Sequence, residues 1–294
     1  MAEFLNYIVQ GISLGAIYAM SALGVVVIYK ATHIFNFAQG NIALVGAYFL
    51  FTFFVSMSLP IWLGFLLTLL FSALFGAILD KVALRPLIGQ PLISSLMVTI
   101  ALMIGIAGFS NMIWGTSTKS FPEPLLSVPV HIGFINTSSI QIFGMLASLI
   151  VFALIAVFFK YTKLGLAMRA TAESHDVSRS LGVGVKNIFT CTWALAAILG
   201  AISGITLASL ASLTPDLGVI GLIAFPIVLL GGLESIKGTL IAGVLIGVVE
   251  ILTAAYIDPL VGGEFRGVTP YILLLVVLFF KPHGLFGEEH IERI

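Results

Sequence analysis

Long stretches without a charged residue constrain this chain more than any other feature. No Asp, Glu, Lys or Arg lies between Glu3 and Lys30, Lys30 and Asp80, Arg85 and Lys119, or Glu123 and Lys160. A helix needs about 20 apolar residues to cross the hydrocarbon core of a bilayer. Only 9% of the residues are charged, whereas a soluble domain carries roughly 25%. The pattern excludes a soluble fold and predicts an all-α polytopic membrane protein.

The apolar runs divide the chain into nine candidate spans. They cover residues 7–29, 37–56, 61–79, 91–113, 140–159, 188–210, 219–233, 239–257 and 267–282. The seventh is short and contains Pro226, which cannot donate a helical hydrogen bond, so we expect a broken or re-entrant element there. The predicted architecture is one transmembrane domain over residues 1–294 with eight or nine transmembrane helices.

Basic residues gather at alternate span ends. Lys30 follows the first span, Arg85 the third, five basic residues in the interval 160–186 the fifth, and Lys281 the ninth. Basic residues near span ends favour the cytoplasm. We therefore expect an N-terminus outside, a cytoplasmic C-terminus and an ordered external loop at residues 115–139.

Charge and motifs also limit the function. The net charge is zero, which argues against nucleic acid as a partner. The sequence contains no P-loop, no H-E-x-x-H and no pair of cysteines. The five histidines are scattered over loops and tails, so we expect no bound metal. Because the motifs above are absent, we also expect no cofactor and no ATP hydrolysis by this chain itself.

A polar stretch interrupts the start of the second span. Asn36, Phe37, Gln39, Gly40 and Asn41 fall within six residues. Irregular backbone at membrane depth is tolerated where protein or a water-filled path covers it, and broken helices often direct their ends at a substrate. These five residues are therefore candidates for a substrate pathway. A cytoplasmic loop with helix-capping asparagines fits the pattern equally well.

A second candidate lies in the eighth span. Gly243 and Gly247 are spaced to let helices pack closely in lipid, and Glu250 follows on the same helix. An acid within the bilayer is costly and is a functional candidate by default. The sequence thus predicts that Glu250 faces the bundle interior, in the pathway. A structural hydrogen bond near the external interface explains it equally well.

The only sizeable polar stretch joins the fifth and sixth spans. Arg169 with Glu173 and Asp176 with Arg179 have the spacing of ion pairs on a short charged helix, and Gly182 suits its C-terminal end. Such a helix would lie across the cytosolic face and offer a surface to a partner. A solvated connector is the alternative, and composition alone favours it.

Five motifs follow one another along the chain. They are Gly15–Tyr29, Asn36–Tyr48, Arg169–Gly182, Gly231–Ser235 with Glu250, and Lys281–Gly287. In this order they span nearly the whole sequence and resemble the LivH-type permeases of branched-chain amino acid ABC importers.

The resemblance implies several partners in the bacterial inner membrane. A second, LivM-like permease would enclose the substrate path together with this chain. Two cytosolic ATP-binding subunits would dock on residues 164–185, and a periplasmic or lipid-anchored substrate-binding protein would deliver the solute. The implied coupling residues are Arg169, Glu173, Asp176, Arg179 and Gly182. Similar chains carry leucine, isoleucine and valine, but also urea, amides or other amino acids, so the solute stays open.

Two other classes of function compete with this interpretation. A stand-alone channel or secondary transporter for a small neutral solute such as urea would explain the broken helices and Glu250, but it needs no charged docking surface at residues 160–186. A structural subunit of a larger complex predicts no polar residues at membrane depth, so the amides weigh against it.

Overall fold

The fold, seen in a computed structural model, consists almost entirely of helices. The structure describes residues 2–122, 125, 128–132, 135–173 and 175–287. Within these ranges the α-helices are α1 (Ala2–Thr32), α2 (Gln39–Leu50), α3 (Ile61–Leu79), α4 (Leu92–Trp114), α5 (Ser139–Tyr161), α6 (Lys163–Glu173), α7 (His175–Ser180), α8 (Val185–Ala211), α9 (Leu217–Ile220), α10 (Ala224–Gly231), α11 (Ile236–Tyr256), α12 (Asp258–Val261) and α13 (Thr269–Phe280). Strands β1 (Pro129–Ile132) and β2 (Ile135–Ser138) form an antiparallel hairpin.

Seven helical segments of the described chain are long and apolar enough to cross a membrane. They are Glu3–Thr32, Gln39–Ser56, Ile61–Leu87, Ile93–Trp114, Ser139–Tyr161, Val185–Ala211 and Ile236–Tyr256. Six of them match predicted spans to within four residues at each end. The third continues past its predicted end, through a π-helical turn (Asp80–Leu84) and a 3-10 turn (Arg85–Leu87).

The remaining two predicted spans are shorter. The segment Leu217–Gly231 is broken by a 3-10 turn at Gly221–Ile223, as expected around Pro226. The predicted span 267–282 matches α13 (Thr269–Phe280) to within two residues at each end, but this helix has only 12 residues. That is about 18 Å at 1.5 Å per residue, which is less than the ~30 Å hydrocarbon core.

Helix α1 lies at the centre and packs on α5, α8, α10 and α11. Its closest partner is α11, where Gly11 and Gly15 of α1 face Gly247 and Gly243. A Cβ atom added at any of these four glycines would overlap the backbone or a side chain of the opposite helix. The predicted close packing at Gly243 and Gly247 is therefore confirmed.

The basic clusters lie at one end of the bundle, which we call the basic end. Lys30 Nζ donates to the Glu234 carbonyl oxygen (3.0 Å), which ties the end of α1 to the α10–α11 turn. Arg85 Nη2 donates to the Lys186 carbonyl oxygen (3.4 Å), which joins the end of the third span to the start of α8. The segment after α13 also lies here, because the Leu285 N–H donates to the Leu230 carbonyl oxygen (2.7 Å).

The hairpin occupies the opposite end, which we call the hairpin end. The Asn136 N–H donates to Asn6 Oδ1, and Gln10 Nε2 donates to the Asn136 carbonyl oxygen, both at 2.9 Å. The start of α1 and the segment after α13 therefore lie at opposite ends of the bundle. The sequence-based grouping of the basic clusters on one side agrees with this geometry.

The interval 115–139, predicted as an external loop, contains the hairpin, and its described residues include a second contact with the bundle. Lys119 and Leu213 exchange two backbone hydrogen bonds of 3.0 and 2.8 Å. Ser138 and Gln141 then form a reciprocal capping box at the start of α5. The loop is ordered at these points, and its location outside the cell remains a prediction.

Helices α3, α4, α5 and α13 form the periphery. Large apolar side chains project outward from each of them, including Trp62, Ile104, Leu154 and Phe279. So much exposed apolar surface is unsuited to water, but it suits contact with lipid. The structure confirms the predicted class of fold, an all-α polytopic membrane protein.

Candidate substrate path and coupling surface

The amide-rich segment forms a non-helical break within the depth of the bundle. Helix α1 ends at Thr32, residues 33–36 have no regular secondary structure, and α2 begins at Gln39. Gln39 Nε2 donates to the Ala196 carbonyl oxygen (3.1 Å). Ala196 lies eleven residues after Val185, the first residue of α8, which is about 16 Å along the helix axis. The chain therefore turns back into the bundle before α2 starts, and the predicted interruption is confirmed.

The three amides of this segment are buried and hydrogen-bonded. Asn36, Gln39 and Asn41 are 0%, 1% and 6% exposed. Asn36 Oδ1 accepts from the Ala38 N–H (3.0 Å), while its Nδ2 donates to Gln39 Oε1 (3.2 Å). Asn41 Nδ2 donates to the Met103 carbonyl oxygen of α4 (3.0 Å). Within this chain the amides tie the break to α4 and α8, because polar groups at this depth need partners.

The more accessible side chains of the break are aromatic. Phe35 and Phe37 are half-buried and pack on each other, with ring centroids 5.2 Å apart. Phe225, at the start of α10, packs on both, at 5.0 and 4.8 Å. Thr99 Oγ1 of α4 donates to the Phe35 carbonyl oxygen (3.1 Å) and holds the backbone there. The three rings form an aromatic cluster between two broken elements, the α1–α2 break and the broken segment Leu217–Gly231.

Gly40 is the point at which these two elements meet. A Cβ atom at Gly40 would overlap the Gly218 carbonyl oxygen and lie 2.9 Å from Gly221 Cα. A Cβ atom at Gly221 would in turn overlap Gly40 Cα. Glycine is required here because two backbones approach without room for a side chain.

Glu250 lies in a different place, on the seam between α1 and α11. Tyr18 Oη donates to Glu250 Oε1 (3.3 Å), and Glu250 is 8% exposed. Its other oxygen, Oε2, has no hydrogen-bond partner among the described residues. Because α1 and α11 are antiparallel and side chains lean toward the start of their own helix, Tyr18 and Glu250 can reach each other. The predicted inward orientation is confirmed, and the structural hydrogen bond that the sequence left open is present.

The Gly231–Ser235 motif forms the turn between α10 and α11 at the basic end. Gly232 has a positive φ of 98°, which favours glycine. Ser235 Oγ accepts from the Gly238 N–H (3.0 Å) and caps α11. His33 Nε2 lies 3.2 Å from Glu234 Oε1. The motif therefore holds the end of α1 beside the start of α11.

The predicted coupling segment is helical in its described residues Lys163–Glu173 (α6) and His175–Ser180 (α7), and residue 174 between them lies outside the described part of the chain. Gly165, Met168 and Thr171 are buried, and α6 packs against α1 and α5. Arg169 and Glu173 are exposed, and the ion pairs found within the described ranges do not include one between them. One face of α6 is therefore buried against the bundle, and Arg169 and Glu173 lie on its exposed face.

Gly182 ends α7 as predicted. Its φ is 82°, the Val183 N–H donates to the Ser178 carbonyl oxygen and the Gly182 N–H to the Arg179 carbonyl oxygen, both at 3.0 Å. This is the Schellman arrangement that closes helices with a left-handed glycine. Arg179 and Gly182 are exposed. Asp176 lies in α7, but its side chain is outside the described part of the structure.

The comparisons with known proteins identify the family. The chain matches the family described as the permease component of branched-chain amino acid transport systems over residues 7–278. It belongs to this permease family. Among its relatives, the high-affinity branched-chain amino acid transport system permease protein LivH of Salmonella typhimurium is 27% identical, with 99% of this chain and 98% of the relative covered. The predicted resemblance to LivH-type permeases is confirmed.

Other members of the permease family match over similar lengths. BraD, a high-affinity branched-chain amino acid transport system permease protein of Pseudomonas aeruginosa, is 28% identical over 99% of this chain and 98% of its own. A probable branched-chain amino acid transport permease LivH of Methanocaldococcus jannaschii is 29% identical over 91% and 88%. The solved structure of PsaBC from Streptococcus pneumoniae in complex with Fab covers 95% of this chain and 92% of that one, with a TM-score of 0.49 and 17% identity.

In this permease, the structure brings together only part of the predicted pathway. The residues from Asn36 to Asn41 gather at one break, whereas Glu250 contacts Tyr18 on another seam. Phe225 belongs to the aromatic cluster but was not among the predicted site residues. Its neighbour Pro226 was the available signal, because it marked the second broken element that carries Phe225.

Proposed function

We propose that this chain is one permease subunit of an ATP-driven importer that carries branched-chain amino acids across the bacterial inner membrane. The match of residues 7–278 to the permease family carries this proposal. The relatives named above are branched-chain amino acid permeases and align with almost the whole chain. The partners would be a second, LivM-like permease, two cytosolic ATP-binding subunits and a periplasmic or lipid-anchored substrate-binding protein.

In this proposal the basic end faces the cytosol and the hairpin end faces outward. The positive-inside rule supports this orientation, since the basic clusters gather at one end. The substrate-binding protein would then approach the hairpin and the ordered parts of the loop 115–139. The N-terminus would lie outside and the C-terminus in the cytoplasm.

The substrate path would run past the break between α1 and α2. Phe37 would face the solute, because the aromatic cluster is the more accessible part of this region. Asn36, Gln39, Gly40 and Asn41 would hold the break in place. Glu250 would act at a separate point of the path.

The ATP-binding subunits would dock on residues 164–185. The exposed charges of Arg169, Glu173 and Arg179 support a polar partner surface there. Asp176 and Gly182 complete the proposed coupling residues. ATP hydrolysis would be the work of the partner subunits, so this chain would transmit motion and perform no catalysis.

The test is to purify the tagged chain from its native membrane in mild detergent and identify its partners by mass spectrometry. We expect a second permease and ATP-binding subunits. The complex is then placed in liposomes with its binding protein, and ATP-dependent uptake of leucine, isoleucine, valine and urea is compared. Recovery of the chain alone, or uptake without ATP, would favour a channel or secondary transporter. Uptake of urea in preference to leucine would keep the importer and change its solute.

A further inference from the structure

Three polar side chains join the basic end of the third span to the first turns of α8. Thr190 Oγ1 donates to Asp80 Oδ2 at 2.6 Å. Arg85 Nη2 donates to Thr190 Oγ1 at 2.8 Å and lies 3.9 Å from Asp80 Oδ2. The Thr190 hydroxyl is therefore the centre of the network, as donor to the acid and acceptor from the base.

The network lies directly beside the end of the coupling segment. Helix α8 begins at Val185, where the segment 164–185 ends, and Thr190 is in its second turn. Arg85 Nη2 also donates to the carbonyl oxygen of Lys186, in the first turn. Asp80 begins the π-helical turn Asp80–Leu84 of the third span, and such turns are frequent at functional positions.

Burial of the Asp80 carboxyl group costs free energy, which argues against a purely stabilising role for the network. Asp80 is 0% exposed, and within the described chain its Oδ1 and the Nε of Arg85 have no hydrogen-bond partner. Well-packed apolar residues often replace a buried ion pair without loss of stability. Apolar contacts, however, are non-directional, whereas hydrogen bonds restrict both distance and angle. The polar network is therefore better suited to fixing the position of the third span relative to α8 than to adding stability.

The same two helices are also in close contact one helical turn away. A Cβ atom at Gly76 of α3 would overlap the Trp193 carbonyl oxygen and would lie 2.8 Å from Ala197 Cβ. Close packing at Gly76 and polar bonding at Asp80 leave α3 little freedom to slide along α8. The third span and α8 are thus held together both by backbone packing and by polar contacts near the coupling segment.

We propose that Asp80, Arg85 and Thr190 are positioning residues that couple α3 to residues 164–185. Displacement of the coupling segment by the ATP-binding subunits is then passed through the first turns of α8 to α3. This inference rests on the proposed function, because it requires ATP-binding subunits that act on the segment.

The chain offers a closely matched control on the same helix. The Thr192 side chain is buried, whereas Thr190 is partly buried, and among the described residues Thr192 Oγ1 donates only to the Ile188 carbonyl oxygen of its own helix (2.8 Å). Thr190→Val and Thr192→Val each exchange a hydroxyl for a methyl group of similar size. Only the first variant removes a link between α8 and the third span.

The experiment uses the complete transporter in liposomes and measures ATP hydrolysed per leucine imported. We expect Thr190→Val to raise this ratio by about 2- to 30-fold, the range that coupling substitutions span. Thr190→Ser, which keeps the hydroxyl, and Thr192→Val should retain the ratio of the unchanged chain. A purely structural role would lower ATP hydrolysis and uptake together and leave the ratio unchanged, and that result would overturn the proposal.

A second variant decides the outcome if Thr190→Val does not assemble. Arg85→Lys keeps the positive charge but loses the guanidinium that reaches both Thr190 and Lys186. A raised ratio in its assembled complex would support the proposal, and an unchanged ratio would overturn it. Failure of the unchanged chain to import with ATP-binding subunits would instead refute the proposed function.

Discussion

Substitution of Gly40 by alanine tests the contact between the two broken elements. The new methyl group would lie 2.9 Å from Gly221 Cα and would overlap the Gly218 carbonyl oxygen. Both neighbours are backbone atoms, so no side chain can rotate away. Because ordinary contacts of this kind begin at 3.4 Å, α2 and the segment 217–223 must separate by roughly 0.5–1.2 Å.

The cost follows from this separation. A gap of about 0.5–1 Å forfeits a quarter to a half of the dispersion energy of the atoms on either side. Overpacking of a well-packed interior typically costs about 1–3 kcal/mol. For a chain of this size we expect Gly40→Ala to lower the thermal midpoint by about 2–12 °C. Leucine uptake should fall as well, because the aromatic cluster shifts with α10.

The assay is the thermal midpoint in detergent, combined with uptake by the assembled transporter. Gly105→Ala is the matched control, because Gly105 is also within a membrane helix but no heavy atom lies within 4 Å of its added Cβ. We expect this control to unfold at or above the midpoint of the unchanged chain, since alanine favours helices by about 1 kcal/mol over glycine. Equal midpoints and uptake for Gly40→Ala and Gly105→Ala would refute the close contact at Gly40.

Three further experiments test other parts of the structure. Tyr18→Phe removes the hydroxyl that donates to Glu250 and should lower the unfolding free energy by about 1–3 kcal/mol. Glu250→Gln should then cost less in the Tyr18→Phe variant than in the unchanged chain. Additive losses would contradict the hydrogen bond between Tyr18 and Glu250. Gly182→Ala places a Cβ at a φ of 82°, which costs about 1–2 kcal/mol, and should weaken capture of the ATP-binding subunits. Gly184→Ala is the control because the φ of Gly184 is −75°. Equal capture by the two variants would show that docking does not depend on the backbone conformation at Gly182. Ser138→Ala removes the capping box of α5 and should cost about 0.5–2 kcal/mol, so an unchanged thermal midpoint would show that the cap is dispensable.

The long helices were predictable because their signal is local. A run of about 20 apolar residues between charges reflects the thickness of the bilayer, and it needs no knowledge of neighbouring helices. The break at Gly221–Ile223 was predictable for the same reason, since Pro226 follows it and proline disrupts the turn of helix before it. The position of α13 was also predictable, to within two residues at each end, although its 12 residues are fewer than a membrane crossing needs.

The candidate site was predictable in its residue types and less so in their roles. Clustered amides at the start of the second span indicated irregular backbone, and Asn36 and Gln39 do accompany such a break. The partners of Asn36 are local, but Gln39 donates to the Ala196 carbonyl oxygen, which is 157 residues away along the chain. Periodicity and spacing carry no information about contacts over such separations.

The amino-acid sequence by itself determined the membrane class, the positions of the long spans, the common side of the basic clusters and the likeness to the permease family. Each depends on composition or spacing within a short window, where hydrophobic transfer and backbone hydrogen bonding set the outcome. Only the tertiary structure decided that the amides are held inside this chain, that Glu250 pairs with Tyr18, and that Asp80 meets Thr190. These are contacts between distant segments, and they depend on how closely glycine-lined helices approach one another.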